Sequence, residues 1–217
     1  GYAHLPERFK PQRRIIAIDL PGAPNKVAML ARSPAAFEAA GYDYIGMDHF
    51  ALPNDALAVA KRQGRLHRNF QGYSTQPDCD LIGLGVSAIG KIGATYSQNA
   101  KSLEDYQDLL DQGHLPVVRG LAVSRDDLLR RAVIMALMCQ GEVLYESIEL
   151  SHLINFREYF ASELQALRGM QEQGLVRLTD TGIEVTSMGW FFVRGVAMVF
   201  DKYLQADRTR ARFSKII

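Results

Sequence analysis

Residues 42–49 read YDYIGMDH. The run 42–47 is short and largely apolar, which predicts a strand, and two ionisable side chains, Asp48 and His49, follow it directly. What flanks the run sets the fold class. Upstream, a helical pattern extends to about Ala40 and is closed by Gly41, a residue suited to the left-handed stop of a helix. Pro34 inside that pattern predicts a kink or a split, with Ser33 as a new N-cap. Downstream, Asn54 is placed to cap a helix over 55–63 that stops at Gly64. A second strand candidate covers 66–75, and the Gly-rich apolar run 80–89 (DLIGLGVSAI) predicts a buried strand. A helix over 99–111 ends at Gly113. Helix, strand, helix, strand, strand, helix is an α/β order. In parallel sheets and barrels the ligand site lies at the carboxyl ends of the strands.

The character changes near Val123. Ser124 to Asp127 is a capping-box-like start for a nearly all-apolar, hence buried, helix over 125–140, ended by Gly141. Asn155 caps a long helix over 156–173, closed by Gly174. LVRLTDTGIEVT then reads as a hairpin with Asp180, Thr181 and Gly182 in its turn. A last helix over 187–204 carries Trp190, Phe191, Phe192 and Phe200 as a core stripe. Helix, helix, hairpin is also the order of a winged-helix module. Residues 1–22, with Pro6, Pro11 and Pro21, read as loop.

Composition narrows the function. Of 217 residues, 47% are apolar, enough for a core. Lys plus Arg total 25 against 24 Asp plus Glu, so bulk charge would not hold this chain to nucleic acid. Two cysteines, Cys79 and Cys139, are no disulfide scaffold, and the cytoplasm is the expected compartment. The longest apolar runs, near 133–138 and 195–200, are too short to span a bilayer. The opening GYAHLPERF, with no initiator Met, suggests a processed product or a piece of a longer chain.

Three places carry candidate chemistry. Asp48 can orient and polarise the His49 imidazole, although neighbours on a strand point to opposite faces; the plain alternative is a turn Asp beside a packed His. LHRNFQGYST, residues 66–75, is a dense set of hydrogen-bonding groups with no lysine or acid among them. His67, Arg68, Asn69, Gln71, Tyr73 and Thr75 suit a pocket for a planar anion, since Arg and His bind carboxylates and Tyr and Phe stack on rings. The alternative is a polar loop that ties its own backbone. GLGVSAIG lacks the Lys and spacing of a phosphate loop and fits a backbone that a ligand approaches closely. Cys139 lies in the most apolar helix and reads as core, and neither cysteine has metal-ligand spacing.

YIGMDHFALP and HRNFQGYSTQ, with YAHLPERF, GVSAIG at 85–90 and the final FSKII, resemble the C-terminal half of the oxygen-independent coproporphyrinogen III oxidases, radical S-adenosylmethionine enzymes of anaerobic haem synthesis. The resemblance runs in order along essentially the whole chain. It implies the closing part of a partial (β/α) radical-SAM barrel over 1–123 and a mostly helical domain with one β-hairpin over 124–217. It implies oxidative decarboxylation of two propionates of coproporphyrinogen III to vinyl groups, giving protoporphyrinogen IX, with S-adenosylmethionine, a [4Fe-4S] cluster and an electron donor as partners. Asp48, His49, His67, Arg68, Asn69, Gln71 and Tyr73 would then face the substrate, and Ala3 and Ile89 match S-adenosylmethionine contacts. No CxxxCxxC cluster motif occurs here, and family members run to roughly twice this length, the size of a barrel plus a domain. Gly1 therefore reads as a cut, the piece alone is expected to be inactive and to hold no metal, and an open barrel edge would permit dimerisation. Neither membrane nor nucleic acid is an expected partner. The alternatives are a haem-binding chaperone relative, against which HRNFQGY speaks, and a winged-helix-like nucleic-acid module, against which Glu158, Glu163 and Glu172 in its recognition helix speak.

Overall fold

A computed structural model describes residues 4–7 and 9–206. Helix α1 (Ala23–Ala39) has a proline in its first turn, where a missing N–H costs nothing, and Gly41 follows it at φ 84°. Pro34 does not split it. The Ser33 hydroxyl donates back to the Met29 carbonyl at 2.9 Å instead of capping a new helix. Short 3₁₀ turns at Lys10–Arg14 and Ala17–Asp19 occupy part of the expected loop.

Strand β1 (Asp43–Gly46) turns back at once into β2 (His49–Ala51), pairing antiparallel with a bulge between Tyr44 and Gly46. Met47, at φ 53°, makes the tight turn. Asp48 and His49 therefore sit at a hairpin bend and not past the end of a parallel strand. Helix α2 (Ala56–Arg62) is capped by Asp55, whose side chain accepts from the Leu57 N–H, so the cap is one residue later than expected. The stretch 66–75 folds as a second hairpin, β3 (His67–Asn69) with β4 (Gly72–Ser74).

The run 80–89 is not a buried strand. Ile82 is 73% and Leu84 85% exposed, and before Ile89, which begins β5, the run's ladder contact is the bridge from Leu81 to Lys91. Asn99 explains it: this buried amide donates to the carbonyls of Gly83 and Gly85, at 3.0 and 2.9 Å, and wraps the run around itself as a loop. Asn99 ends β6 (Thr95–Asn99), which pairs with β5 (Ile89–Ile92) and, across helix α3 (Leu103–Asp111), with β7 (Val117–Ala122). The α3 cap is Ser102, so that helix is shorter than the expected 99–111.

The second part opens as read. Ser124 and Asp127 form a reciprocal capping box for α4 (Arg125–Gln140), and Gly141 closes it in the left-handed conformation. Strand β8 (Glu142–Leu144) and helix α5 (Tyr145–His152) were not expected. The long helix is two, α6 (Phe156–Tyr159) and α7 (Ala161–Glu172), broken at Phe160, whose fully buried ring lies between Phe156 and Phe200. The expected hairpin is β9 (Val176–Leu178) with β10 (Gly182–Val185), and β8 completes a three-stranded sheet in the order β8-β10-β9. The last helix is replaced by a 3₁₀ turn at Gly189–Phe192, then α8 (Val193–Met198) and α9 (Lys202–Ala206). Asp201 restarts the chain by accepting from the N–H groups of Tyr203 and Leu204.

The mixed helix-and-sheet class stands as expected, and the strand pairs among the described residues are antiparallel. The main core gathers Val133 and Leu137 of α4 with Phe156, Phe160, Leu167, Ile183, Val196 and Phe200. Burying each large side chain contributes roughly 1.5–3 kcal/mol. A smaller core of Ile45, Ala51, Ala58, Ala60 and Leu66 is completed by Cys139 of α4, so the two parts share one helix. Among the described residues no helix is long and apolar enough to cross a membrane.

Candidate functional site

The two hairpins interlock. Gly46, in the β1 bulge, faces Tyr73 of β4, and a Cβ on Gly46 would lie 2.3 Å from the Tyr73 hydroxyl oxygen. In return Gly72 faces His49, where a Cβ would lie 3.2 Å from Nε2. The His49 and Tyr73 rings meet edge to face at 5.2 Å. The Tyr73 hydroxyl donates to the Met138 carbonyl of α4 at 2.8 Å, and burial pushes its pKa far up, so it stays neutral. Lys61 of α2 adds a second tie: its ammonium donates to the Tyr44 carbonyl at 2.6 Å and lies 4.6 Å from the Trp190 ring centre. The Tyr73 bond fixes the β3–β4 hairpin against α4, and Lys61 fixes α2 against β1.

Between that hairpin, the loop around residue 78, α4 and α8 lies a cavity of about 1050 Å³. His67, Arg68 and Asn69 line it. Arg68 Nη1 is buried without a hydrogen-bond partner, and its guanidinium carbon lies 4.8 Å from the Tyr73 ring centre. A buried guanidinium nitrogen with an unused donor is costly unless something anionic meets it. Met135, Met138 and Ala197 supply an apolar part of the lining. Such a cavity accommodates a large body with an apolar face and anionic arms.

The other predicted residues are placed differently. Asp48 and His49 do come together, Oδ1 to Nδ1 at 3.1 Å, contrary to the opposite-face expectation, because the bend turns them to one side. The contact is one of proximity: His49 Nδ1 lacks hydrogen-bond geometry to any partner. Asp48, His49, Gln71 and Tyr73 are not among the residues lining the cavity. Gln71 is exposed at the hairpin tip, with its N–H donated to the Asn69 side chain at 2.9 Å. Thr75 is exposed. Ile89 is half-buried at the start of β5, also outside the cavity lining, while Ala3 and the final FSKII lie outside the described residues.

Sequence reasoning missed other basic groups of the lining. Arg131 binds Asp78 through both guanidinium nitrogens, at 2.6 and 2.5 Å, and Lys91 pairs with the same carboxylate. Hydrogen bonding from Arg131 holds the Asp78 carboxyl well below the usual carboxylate range. The signal was an arginine on an otherwise apolar helix face: Leu128, Arg131, Met135 and Met138 recur at helical spacing and all line the cavity.

The donors present do not fit an iron–sulfur cluster. Cys139 is buried, with its thiol pushed up to about 11 by burial, and Cys79 stands alone. Among the described residues no three His, Cys, Asp or Glu side chains could hold a metal.

Comparison with known proteins gives three kinds of match. The family model described as HemN C-terminal domain matches residues 123–192. The chain is 53% identical over all 217 residues to the oxygen-independent coproporphyrinogen III oxidase of Pseudomonas aeruginosa, covering 47% of that protein. It is 44% identical to the protein of the same name from Thermostichus vulcanus, covering 67% of it. A solved structure of the coproporphyrinogen III oxidase (HemN) from Escherichia coli, described as a radical SAM enzyme, superposes with a TM-score of 0.90 at 47% identity, over 94% of this chain and 47% of that one. The chain thus spans about half the length of the Pseudomonas relative and of the solved structure.

Proposed function

The chain belongs to the family of oxygen-independent coproporphyrinogen III oxidases, and from that premise we propose that it is the substrate-side part of an enzyme that decarboxylates two propionates of coproporphyrinogen III to vinyl groups. S-adenosylmethionine and a [4Fe-4S] cluster would supply the radical chemistry of such an enzyme, and this reading assigns the cluster ligands to residues outside this chain. Ala3 and Ile89 are assigned to S-adenosylmethionine by motif only. A cytoplasmic setting belongs to the same reading, supported by two cysteines that are both free. So does a division at residue 123, supported by the family match that begins there and by the capping box at Ser124.

The observation that carries the reading is Arg68 Nη1, buried and unpartnered on the wall of a cavity large enough for a tetrapyrrole. Its role is to bind and orient one propionate, with His67 and Asn69 beside it and the methionine wall against the macrocycle. Tyr73 and His49 act one step back, as positioning residues that hold the hairpin. Gln71 and Asp48 remain assigned to the substrate side by resemblance alone. The test is a fluorescence titration with coproporphyrin III, the stable oxidised form of the macrocycle. Arg68→Ala should weaken binding about 10- to 100-fold, the worth of one hydrogen bond to a charged group. His67→Ala should weaken it less. Unchanged affinity in both, together with unchanged turnover of the longer enzyme carrying them, would sink the assignment.

Dimerisation of this chain is a second part of the proposal. Strand β7 stands at a sheet edge, exposed along its whole length, with Val118 55% exposed. Unpaired edges of this kind recruit a second strand. Light scattering should find a dimer that Val118→Lys converts to monomer. A wild-type chain that stays monomeric at every concentration would remove this element.

A further inference from the structure

The lining of the cavity contains a carboxylate already in place. Asp78 sits on a loop that joins the β3–β4 hairpin to β5, and its side chain is half exposed. It nevertheless draws in both guanidinium nitrogens of Arg131, from a helix 53 residues away in sequence, and the ammonium of Lys91. The Tyr96 phenol lies beside Arg131 and favours its charged form. All four residues line the cavity. A planar guanidinium fork and an ammonium converging on one carboxylate is how proteins recognise a bound acid. Beside Asp78 the loop is also tied by Leu81, which exchanges two backbone hydrogen bonds with Lys91, and by Asp80, which accepts from the Gly93 N–H, while Asn99 holds its later part at Gly83 and Gly85.

We propose that Arg131 and Lys91 form a carboxylate-binding subsite, occupied by Asp78 in the free chain, and that a carboxylate of an incoming polycarboxylate ligand replaces Asp78 there. The subsite needs only the residues named. That its ligand is a tetrapyrrole propionate rests on the function proposed above. Arg68 and Arg131, which line the same cavity, would then take different carboxylates of one ligand. Exchange of one carboxylate for another keeps Arg131 and Lys91 paired throughout, so opening the loop strands no buried cation.

Two measurements on the 217-residue chain test this separately. In the first, Asp78→Ala is melted with and without sodium acetate, with sodium chloride at equal ionic strength as control. Acetate should restore much of the lost melting temperature, and should fail to do so in Asp78→Ala/Arg131→Gln. No specific rescue overturns the subsite. In the second, coproporphyrin III is titrated into wild type, the isosteric Asp78→Asn and Arg131→Gln. Removing the competing carboxylate should tighten binding roughly fivefold, while Arg131→Gln should weaken it about tenfold. Affinity that is unchanged or lower in Asp78→Asn overturns the replacement step, leaving Asp78 a structural ion pair. Acetate rescue with no porphyrin binding by any variant upholds the subsite and overturns the tetrapyrrole reading instead.

Discussion

Arg130→Met should destabilise the chain by about 3 kcal/mol, the cost of stripping the partner from a largely buried carboxylate. Arg130 of α4 is 17% exposed and binds Glu163 of α7 through Nη1 at 2.7 Å, Asp126 through Nε at 2.9 Å and the Phe200 carbonyl at 3.2 Å. Glu163 is 11% exposed, and Arg130 is the cation that answers its charge. Asp126 loses less, because Lys202 and the Tyr159 hydroxyl also hold it, both within 2.8 Å. The expected fall in melting temperature is roughly 6–12 °C. The pH dependence identifies the cause. Burial pulls the Glu163 pKa up, and the bond and charge of Arg130 together with the hydrogen bonds from Ser162 and the backbone more than offset it, so the native carboxyl titrates below its ordinary value. A depressed native pKa gives stability that is present above the unfolded pKa, about 4.3, and is lost as pH falls through the native value. Without Arg130, burial dominates and protonation relieves it. The deficit of Arg130→Met is therefore largest near neutrality and narrows below about pH 4. In a double-mutant cycle, Glu163→Gln should recover about 1–2 kcal/mol of it. A deficit that is the same at pH 4 and pH 7 would exclude this account.

The elements legible in the sequence are those whose signal is local. The Ser124–Asp127 capping box and its closing Gly141 were read to the residue, and the turn at Asp180 to Gly182 located its hairpin. Both depend on groups three or four residues apart. The run 80–89 misled because an apolar, Gly-rich pattern fits a buried strand, whereas the loop depends on Asn99, ten residues beyond its end. Asp48 and His49 misled in another way. A four-residue strand followed by polar residues fits a parallel strand end and a hairpin equally, and the three-residue β2 is too short to announce itself. The breaks at Phe160 and before α9 follow from core packing, though the Asp201 cap was visible. Of the cavity lining, His67, Arg68 and Asn69 stood out in the sequence because they belong to the dense hydrogen-bonding run 66–75. Arg131, Asp78 and Lys91 did not, because nothing local says that an aspartate will meet an arginine 53 positions away.

The interlock of the two hairpins makes the second large prediction. Gly46→Ala should cost about 3 kcal/mol, combining a backbone penalty at its φ of 155° with the collision at Tyr73. The added methyl would lie 2.3 Å from the Tyr73 oxygen and 2.9 Å from the ring carbon that bears it. The ring must withdraw, and with it goes the bond to the Met138 carbonyl that anchors β4 to α4. Because β3, carrying His67 and Arg68, pairs with β4 residue for residue, the cavity wall moves too. Coproporphyrin III affinity should therefore fall several-fold although Gly46 does not line the cavity, an effect that bulk destabilisation of a still-folded chain would not produce. Tyr73→Phe separates the two causes. Alone it removes one hydrogen bond, about 1 kcal/mol. Combined with Gly46→Ala it also removes the atom in closest collision, so the double variant should be about 1 kcal/mol more stable than the sum of the singles. Additivity would mean that the backbone angle at Gly46 carries the whole cost. The hairpins would then be neighbours that touch, and the position of Arg68 would have to be explained from α4 alone.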